Sequence, residues 1–314
     1  MYIGIDIGGT NIKGLLTDPL GNELSFTHIH TPKTAKDIDE KIYQLIETLA
    51  SSASISITDI KAIGIGTPGP IDRDAGIIIK APNIPCFDNH PLVKNIRRRI
   101  DIPVILENDA TIALIGTWWK EIGHTFRNWI MITLGTGIGG GLVIDNKMYT
   151  GISGNAMEIG HMCIDYNGKR CGCGSRGCWE RYASATALVE LARSKLKGIK
   201  NSSIVSRTKK EQLTPRVIYE EALNNDKLAL KIFNEYSSYL GIGIVNLINI
   251  FNPEAIFVGG GISRTHTLMM PIVKKIVAER ALQGLKDEVQ FFAVKDPDKI
   301  PSFGAVKIAI ESMQ

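Results

Sequence analysis

The sequence lacks a strong excess of either charge, a long unbroken apolar run and a pairable set of cysteines. Net charge is +4, with both signs mixed along the chain. That bias is too mild for a nucleic-acid binder, and the small basic cluster Arg97-Arg98-Arg99 reads as a solvated helix face. No basic segment followed by an apolar core opens the chain, and a charge appears already at Asp6, so no secretory leader is expected. Two stretches carry no charge, Trp129 to Ile144 and Tyr236 to Pro253. The first holds five glycines and two threonines, and the second holds Asn246, Asn249 and Asn252. A spanning helix needs about 20 mostly apolar residues, so both stretches read as buried elements and no membrane partner is expected. The cysteines are five, an odd number: Cys86, Cys163, Cys171, Cys173 and Cys178. They argue against a disulfide framework and for a reducing cytoplasm, with the close trio a candidate metal site.

What is present suffices for a sizeable core: 44% apolar and 22% charged residues over 314 positions, a length suggesting two domains. The chain also repeats itself. Ile5 to Asp18 (IDIGGTNIKGLLTD) aligns without a gap on Ile132 to Asp145 (ITLGTGIGGGLVID), each an apolar run, a glycine turn and a second apolar run. Further on, Ile63–Gly66 before Thr-Pro-Gly-Pro is echoed by Ile256–Gly259 before Gly-Gly-Ile. Two echoes in the same order indicate a duplicated α/β unit with glycine-tipped hairpins. Strands are predicted at 2–7, 12–17, 60–66, 104–107, 130–134, 140–144, 255–258 and 290–294. Helices are predicted at 37–51, 111–123, 183–197, 215–224, 228–251, 267–282 and 304–312. Strands alternating with helices imply largely parallel sheets covered on both faces. The first domain is expected over residues 1–116 with the last helix, about 303–314, packed back onto it; the second, larger one over 117–302 contains the cysteines.

Glycine tips let backbone N–H groups converge on an anion. Gly8-Gly9-Thr10 offers one and Gly135-Thr136-Gly137 a second, while Gly259-Gly260-Gly261, between a strand and a helix, suits a nucleotide base and ribose. A dinucleotide fingerprint fits poorly, because its glycines lead straight into a helix, and here β-like Ile12–Thr17 follows. Asn108-Asp109 follows the apolar run Val104–Leu106 and precedes a helix, the end of an open sheet where ligands bind. Asp109 is a candidate acceptor of a hydroxyl proton; a helix N-cap is the competing reading, and position alone supports both. Asp6, beside the first tip, is a candidate Mg²⁺ partner, directly or through water. His161, Cys171, Cys173 and Cys178 have the donor set of tetrahedral, structural zinc, with free thiols the alternative. Glu158 and Glu180 flank that cluster as candidate sugar ligands. Cys86 and Cys163 are read as small core residues.

These motifs resemble sugar kinases of the repressor, open reading frame, kinase (ROK) family, especially its bacterial glucokinases. The resemblance rests on Asp6-Ile7-Gly8-Gly9-Thr10, Glu107-Asn108-Asp109-Ala110, Leu134–Gly141, Glu158-Ile159-Gly160-His161, the run Cys171–Glu180, and Asn252-Pro253-Glu254 leading to Gly259–Gly261. It implies an α/β, actin-like ATPase (ribonuclease H-like) fold of two similar domains with the active site in a cleft. It implies that Asp109 is the base and that Asn108, Glu158, His161, Glu180, Asn83 and Gly69 contact the hexose. It further implies that Asn11 and Lys13 join Asp6 and the glycine tips in holding ATP with Mg²⁺, and that zinc is structural. His161 would then serve twice, one ring nitrogen on zinc and the other towards a hydroxyl. A cytoplasmic homodimer is implied as well. Phe87 and Trp179 depart from the family pattern and are expected near the sugar pocket. The reaction expected is phosphorylation of glucose at the 6-hydroxyl, with N-acetylmannosamine, N-acetylglucosamine, fructose or allose as alternative acceptors. A sugar-responsive repressor and a non-catalytic sensor are the competing classes. The family's repressors carry a DNA-binding segment ahead of the first tip, whereas five residues precede Asp6 here.

Overall fold

Isoleucine-rich runs favour extended backbone because branching at Cβ restricts χ1 and packs well on a pleated surface. A computed structural model describes residues 1–81 and 84–314, so Asn83 lies outside the described residues. In chain order the strands and helices begin with β1 (Tyr2–Ile7), β2 (Asn11–Thr17), β3 (Glu23–His30), α1 (Ala35–Ser52), β4 (Ala62–Thr67), β5 (Ile71–Asp72) and β6 (Ile77–Ile78). Then come α2 (Leu92–Arg97), β7 (Val104–Asn108), α3 (Asp109–Thr117), β8 (Trp129–Leu134), β9 (Ile138–Ile144) and β10 (Lys147–Met148). The last group is α4 (Glu180–Ala183), α5 (Ala185–Leu196), α6 (Ser203–Thr208), α7 (Pro215–Leu223), α8 (Lys227–Phe251), β11 (Ala255–Gly259), α9 (His266–Arg280), β12 (Gln290–Ala293) and α10 (Ile300–Glu311).

The repeat read from the sequence is a repeat of topology. One sheet runs β3-β2-β1-β4-β7 and the other β10-β9-β8-β11-β12. In the first, β2 pairs antiparallel with β1 and β3, while β1–β4 and β4–β7 are parallel. In the second, β8–β11 and β11–β12 are parallel and β9–β10 antiparallel. Strands β1 and β2 correspond residue for residue to β8 and β9 at the offset of the sequence alignment.

The chain forms two compact units. Unit 1 holds residues 1–127, 141–157 and 294–314, and unit 2 holds 128–140 and 158–293. Unit 1 therefore takes in more than the expected 1–116 and 303–314: residues 117–127, the segment 141–157 and 294–302 belong to it too. Its core sets Ile3, Ile5, Ile7, Ile63 and Ile65 against Ile38, Ile42, Leu45, Ile46 and Leu49 of α1. Those α1 residues fall at helical spacing on one face, behind an N-cap in which Thr34 accepts the Asp37 N–H. The last helix, α10, covers β1, β4 and α3 at backbone distance: a Cβ on Gly4 would lie 2.7 Å from the Val306 nitrogen, and one on Gly116 2.9 Å from that of Gly304. In unit 2, buried Ile130, Ile132, Leu134, Ile256 and Val258 lie in the strands, and Leu240, Ile244, Leu247 and Ile248 in α8.

Several elements differ from expectation for local reasons. The predicted helix over 111–123 starts at Asp109 and ends as α-helix at Thr117. A π turn over Trp118–Ile122 follows, closed by the Gly123 N–H on the Trp118 carbonyl at 2.9 Å. The helix predicted over 183–197 breaks at Ser184, whose extended backbone and hydroxyl cap α5 through the Ala187 N–H. The final helix begins four residues early, with Pro301 in its first turn. Strand β3 and helices α2 and α6 were not anticipated; β3 is a largely half-exposed edge strand without a clear alternation.

Candidate active site and metal centre

In unit 1 the first glycine tip is closed by the Gly8 N–H on the Asn11 carbonyl at 2.9 Å. Thr31, just past β3, holds it from behind: its hydroxyl donates to the Gly8 carbonyl at 2.6 Å and its N–H to the Thr10 carbonyl at 2.9 Å. Gly9 and Thr10 stay exposed. Asn11 Oδ1 is buried and, among the described residues, lacks a hydrogen-bond partner, which suits a ligand donor at this tip. Asp6 pairs in register with Lys13 across β1 and β2. Lys13 Nζ lies 3.0 Å from Asp298 Oδ1. Burial pushes the Asp6 carboxyl up to about 6, with Lys13 opposing and Asp298 adding to the rise. A divalent cation would offset that burial, so the acids fit Mg²⁺. Thr31 and Asp298 escaped the sequence reading because tertiary folding brings them to the tip from elsewhere in the chain.

At the carboxyl end of β7 the cap falls to Asn108. Asn108 is the N-cap: its Oδ1 accepts the Ala110 and Thr111 N–H groups at 2.9 and 3.2 Å, and its Nδ2 donates to the Gly69 carbonyl at 3.2 Å. Gly69 sits in the left-handed region, at φ 87°. Asp109 is the first residue of α3, where the helix dipole favours a carboxylate; its Oδ1 accepts the Ala110 N–H at 2.8 Å.

In unit 2 the Gly135 N–H donates to the Gly137 carbonyl at 3.0 Å, closing the second tip. The start of α5 supports it, through Ala185 N–H to the Gly135 carbonyl at 2.8 Å and the Thr186 hydroxyl to the Thr136 carbonyl at 2.9 Å. A Cβ on Gly137 would lie 2.6 Å from Glu180 Oε2, so the tip abuts one of the expected sugar acids. Of the third glycine run, Gly259 is buried as the last residue of β11, Gly260 is half-buried and Gly261 exposed.

Glu180 also borders the cysteine cluster: its Oε1 is 3.1 Å from Cys171 Sγ and 3.7 Å from His161 Nδ1. Ligand atoms of His161, Cys171, Cys173 and Cys178 all lie within 4.8 Å of one another. The His161 Nδ1–Cys171 Sγ and Cys173–Cys178 Sγ distances are 3.7 and 3.6 Å, close to the tetrahedral edge of about 3.8 Å that follows from a Zn–S bond of about 2.3 Å. Without a cation, burial pushes the Cys171 thiol up to about 12 and raises Cys178 as well. A bound cation reverses that tendency, because a coordinating thiol is deprotonated. The residues therefore fit zinc, with Nδ1 of His161 inward and Nε2 4.0 Å from Glu158.

One expectation is corrected. Cys163 is exposed, not a core residue; it pairs by an isolated bridge with Cys178 at the edge of the cluster. Cys86 is partly buried against the unit 1 core. Phe87 and Trp179 are wholly buried: Phe87 stacks on His90 at 4.7 Å, and Trp179 packs on Gly243 with its Nε1–H on the Tyr239 carbonyl at 3.0 Å. No helix long and apolar enough to cross a membrane is found among the described residues.

The family model described as "ROK family" matches residues 2–312. A glucokinase of Halalkalibacterium halodurans is 35% identical over 294 residues, covering 92% of this chain and 89% of its own. A putative xylose repressor of a Caldicellulosiruptor species is 30% identical over 319 residues, covering all of this chain and 79% of its own. Among solved structures, a ROK family glucokinase from Streptomyces griseus in complex with glucose and AMPPNP is similar at a TM-score of 0.89 and 33% identity, with 99% of both chains covered.

Proposed function

Because the chain belongs to the ROK family over residues 2–312, we propose that it is an ATP-dependent hexose kinase that transfers the γ-phosphoryl group to the 6-hydroxyl of glucose. The observation that carries this reading is the similarity, over 99% of both chains, to a glucokinase crystallised with glucose and AMPPNP. The placement of Asp109 supports it, since Asn108 serves as the helix cap.

Phosphoryl transfer passes through a loose transition state, so positioning and charge neutralisation do most of the work. In the proposed reaction the N–H groups of Gly9, Thr10, Thr136 and Gly137 meet the phosphates, with Asn11 and Lys13 beside them, while Gly8 and Gly135 shape the tips by closing them on the Asn11 and Gly137 carbonyls. Gly259, Gly260 and Gly261 lie along the base and ribose. Asp6 would hold Mg²⁺, directly or through water, and the cation would supply charge neutralisation. Asp109 takes the proton of the 6-hydroxyl. Asn108, Gly69, Asn83, Glu158, His161 and Glu180 hold the remaining hydroxyls. His161, Cys171, Cys173 and Cys178 would hold a structural zinc; with one ring nitrogen so engaged, the His161 imidazole would be fixed and its other nitrogen would donate to a sugar oxygen. The enzyme is read as a cytoplasmic homodimer.

A second reading, a sugar-responsive repressor, is favoured by the 30% identical putative xylose repressor. A coupled ADP-release assay over glucose, fructose, allose, N-acetylglucosamine and N-acetylmannosamine separates the two. Turnover fastest on glucose is expected, and Asp109→Asn should retain sugar binding while lowering kcat by about 10²-fold or more. Calorimetric sugar binding without ADP release by the wild type would favour the repressor or sensor instead. Near-normal turnover in Asp109→Asn would remove that residue as the base.

A further inference from the structure

Transition-state positioning is sensitive to displacements of an ångström, and unit 1 contains a device suited to limiting them. Arg73 sits in the turn between β5 and β6. Its guanidinium forks onto both carboxylate oxygens of Glu107: Nε reaches Oε2 at 2.9 Å and Nη2 reaches Oε1. Nη2 also donates to the Gly154 carbonyl at 2.7 Å. Glu107 Oε1 in turn accepts the backbone N–H of Asn108 at 2.7 Å. One side chain thus ties together the β5–β6 turn, the exit of β7 and the segment ending at Met157.

The pair is well sheltered, with Glu107 13% and Arg73 29% exposed. Partly buried ion pairs are weak evidence for stability, since apolar replacements often serve as well. A bidentate fork instead confers fixed geometry. Gly154 is shaped for it: a Cβ there would lie 3.0 Å from Arg73 Cζ, and its φ of 76° is in the left-handed region. Any other residue would push the guanidinium off the carbonyl.

We infer that Arg73 is a positioning residue for the sugar end of the reaction. Through Glu107 it orients Asn108 and Asp109, and through Gly154 it anchors the segment that leads, four residues later, to Glu158. The inference rests on the hexose-kinase reading. Lysine is no substitute, because a point charge on a flexible stem cannot make the fork.

The test compares wild type, Arg73→Ala, Arg73→Lys, Glu107→Gln and the Arg73→Ala/Glu107→Gln double variant in the coupled assay. Arg73→Ala should lower kcat by about 10- to 100-fold and raise the glucose KM, with the ATP KM within about twofold of wild type. Arg73→Lys should recover little, whereas added methylguanidinium should restore part of the kcat of Arg73→Ala. The double variant should lie within about twofold of Arg73→Ala, because both changes break one link. An active wild type with Arg73→Ala unchanged in kcat and glucose KM would overturn the inference and leave the kinase reading intact. So would an equal loss in glucose and ATP parameters that methylguanidinium does not rescue, which would mark a general structural role. A wild type that turns over no hexose of the panel would overturn the kinase reading and the inference with it.

Discussion

Asp6 shows how a single residue can be stabilised by one state and used in another. Burial raises its carboxyl to about 6, so the folded, ligand-free chain keeps this proton well above the pH at which the unfolded chain releases it, about 3.9. Stability from the neutral form is full below about pH 4 and is lost as pH rises through 6. Asp6→Asn should therefore raise the thermal midpoint of ligand-free protein at pH 7, by up to roughly 3 kcal/mol in stability, and flatten the profile between pH 4 and 6. It should also weaken MgATP binding. Thermal melts from pH 4 to 8 check this; parallel profiles for variant and wild type would show that Asp6 carries no such penalty. At this scale the sequence is legible where chemistry is dense, as at Asp6, Asn108-Asp109 and the cysteine trio. It is silent where a contact spans the chain: Asp298 reaches Lys13, and Arg73 reaches Glu107 and Gly154. Phe87 and Trp179 could be located in the sequence, but only packing reveals that they are fully enclosed.

Among the elements, α8 depends on a cap that also organises α6. Asp226 accepts the Leu228 and Ala229 N–H groups at 2.9 Å each, and its other oxygen accepts the Ser202 hydroxyl at 2.7 Å and the Ser203 N–H at 2.9 Å. Burial by itself would raise the Asp226 carboxyl, but the hydrogen bonds from Ala229, Ser202, Ser203 and Ile204 together hold it down at about 2. The stabilisation is thus present above about pH 4 and lost as pH falls through 2. Asp226→Ala should cost about 1–2 kcal/mol at pH 7, with the gap to wild type closing towards pH 2. Urea unfolding at pH 7 and pH 3 reads the difference, and an equal cost at both would rule out the carboxylate as its source. Long periodic elements such as α1 and α8 were legible because their apolar positions repeat at helical spacing. Helix α6 was not: it is one and a half turns with one fully buried side chain, Ile204, and relies on Arg207, which bonds Glu211, Glu220 and Glu221. Strand β3 escaped because an edge strand exposed along much of its length leaves no clean alternation to read.

For the molecule as a whole, the duplicated topology was written in the two glycine-tipped hairpins, whereas the division into units was not. The chain passes between units after Arg127, Gly140, Met157 and Ala293; the glycines around Gly140 read first as a hairpin tip, and Arg127 and Ala293 lie in segments without a linker-like composition. The cluster of His161, Cys171, Cys173 and Cys178 organises unit 2 around Glu180 and the second tip. Metal analysis should return about one zinc per chain. Stripping it with a chelator, or Cys171→Ser, should weaken glucose binding by about tenfold or more and lower the thermal midpoint. Zinc-free protein with unchanged glucose affinity would leave the cluster without a part in sugar binding.

The close seat of α10 on Gly4, Gly64 and Gly116 also bears on how the protein is made. Unit 1 takes in residues 1–127 and 294–314, and both segments of unit 2 lie between these in chain order. Every residue of unit 2 is therefore available before the helix that completes unit 1 exists. Unit 1 begins ahead of unit 2 and is completed after it, against the usual order in which domains mature one after another from the amino end. A stop codon before Ile300 would release a chain whose unit 2 is whole and whose unit 1 exposes a bare β-sheet face. Loss of residues 300–314 is thus a lesion of β1 as much as of α10.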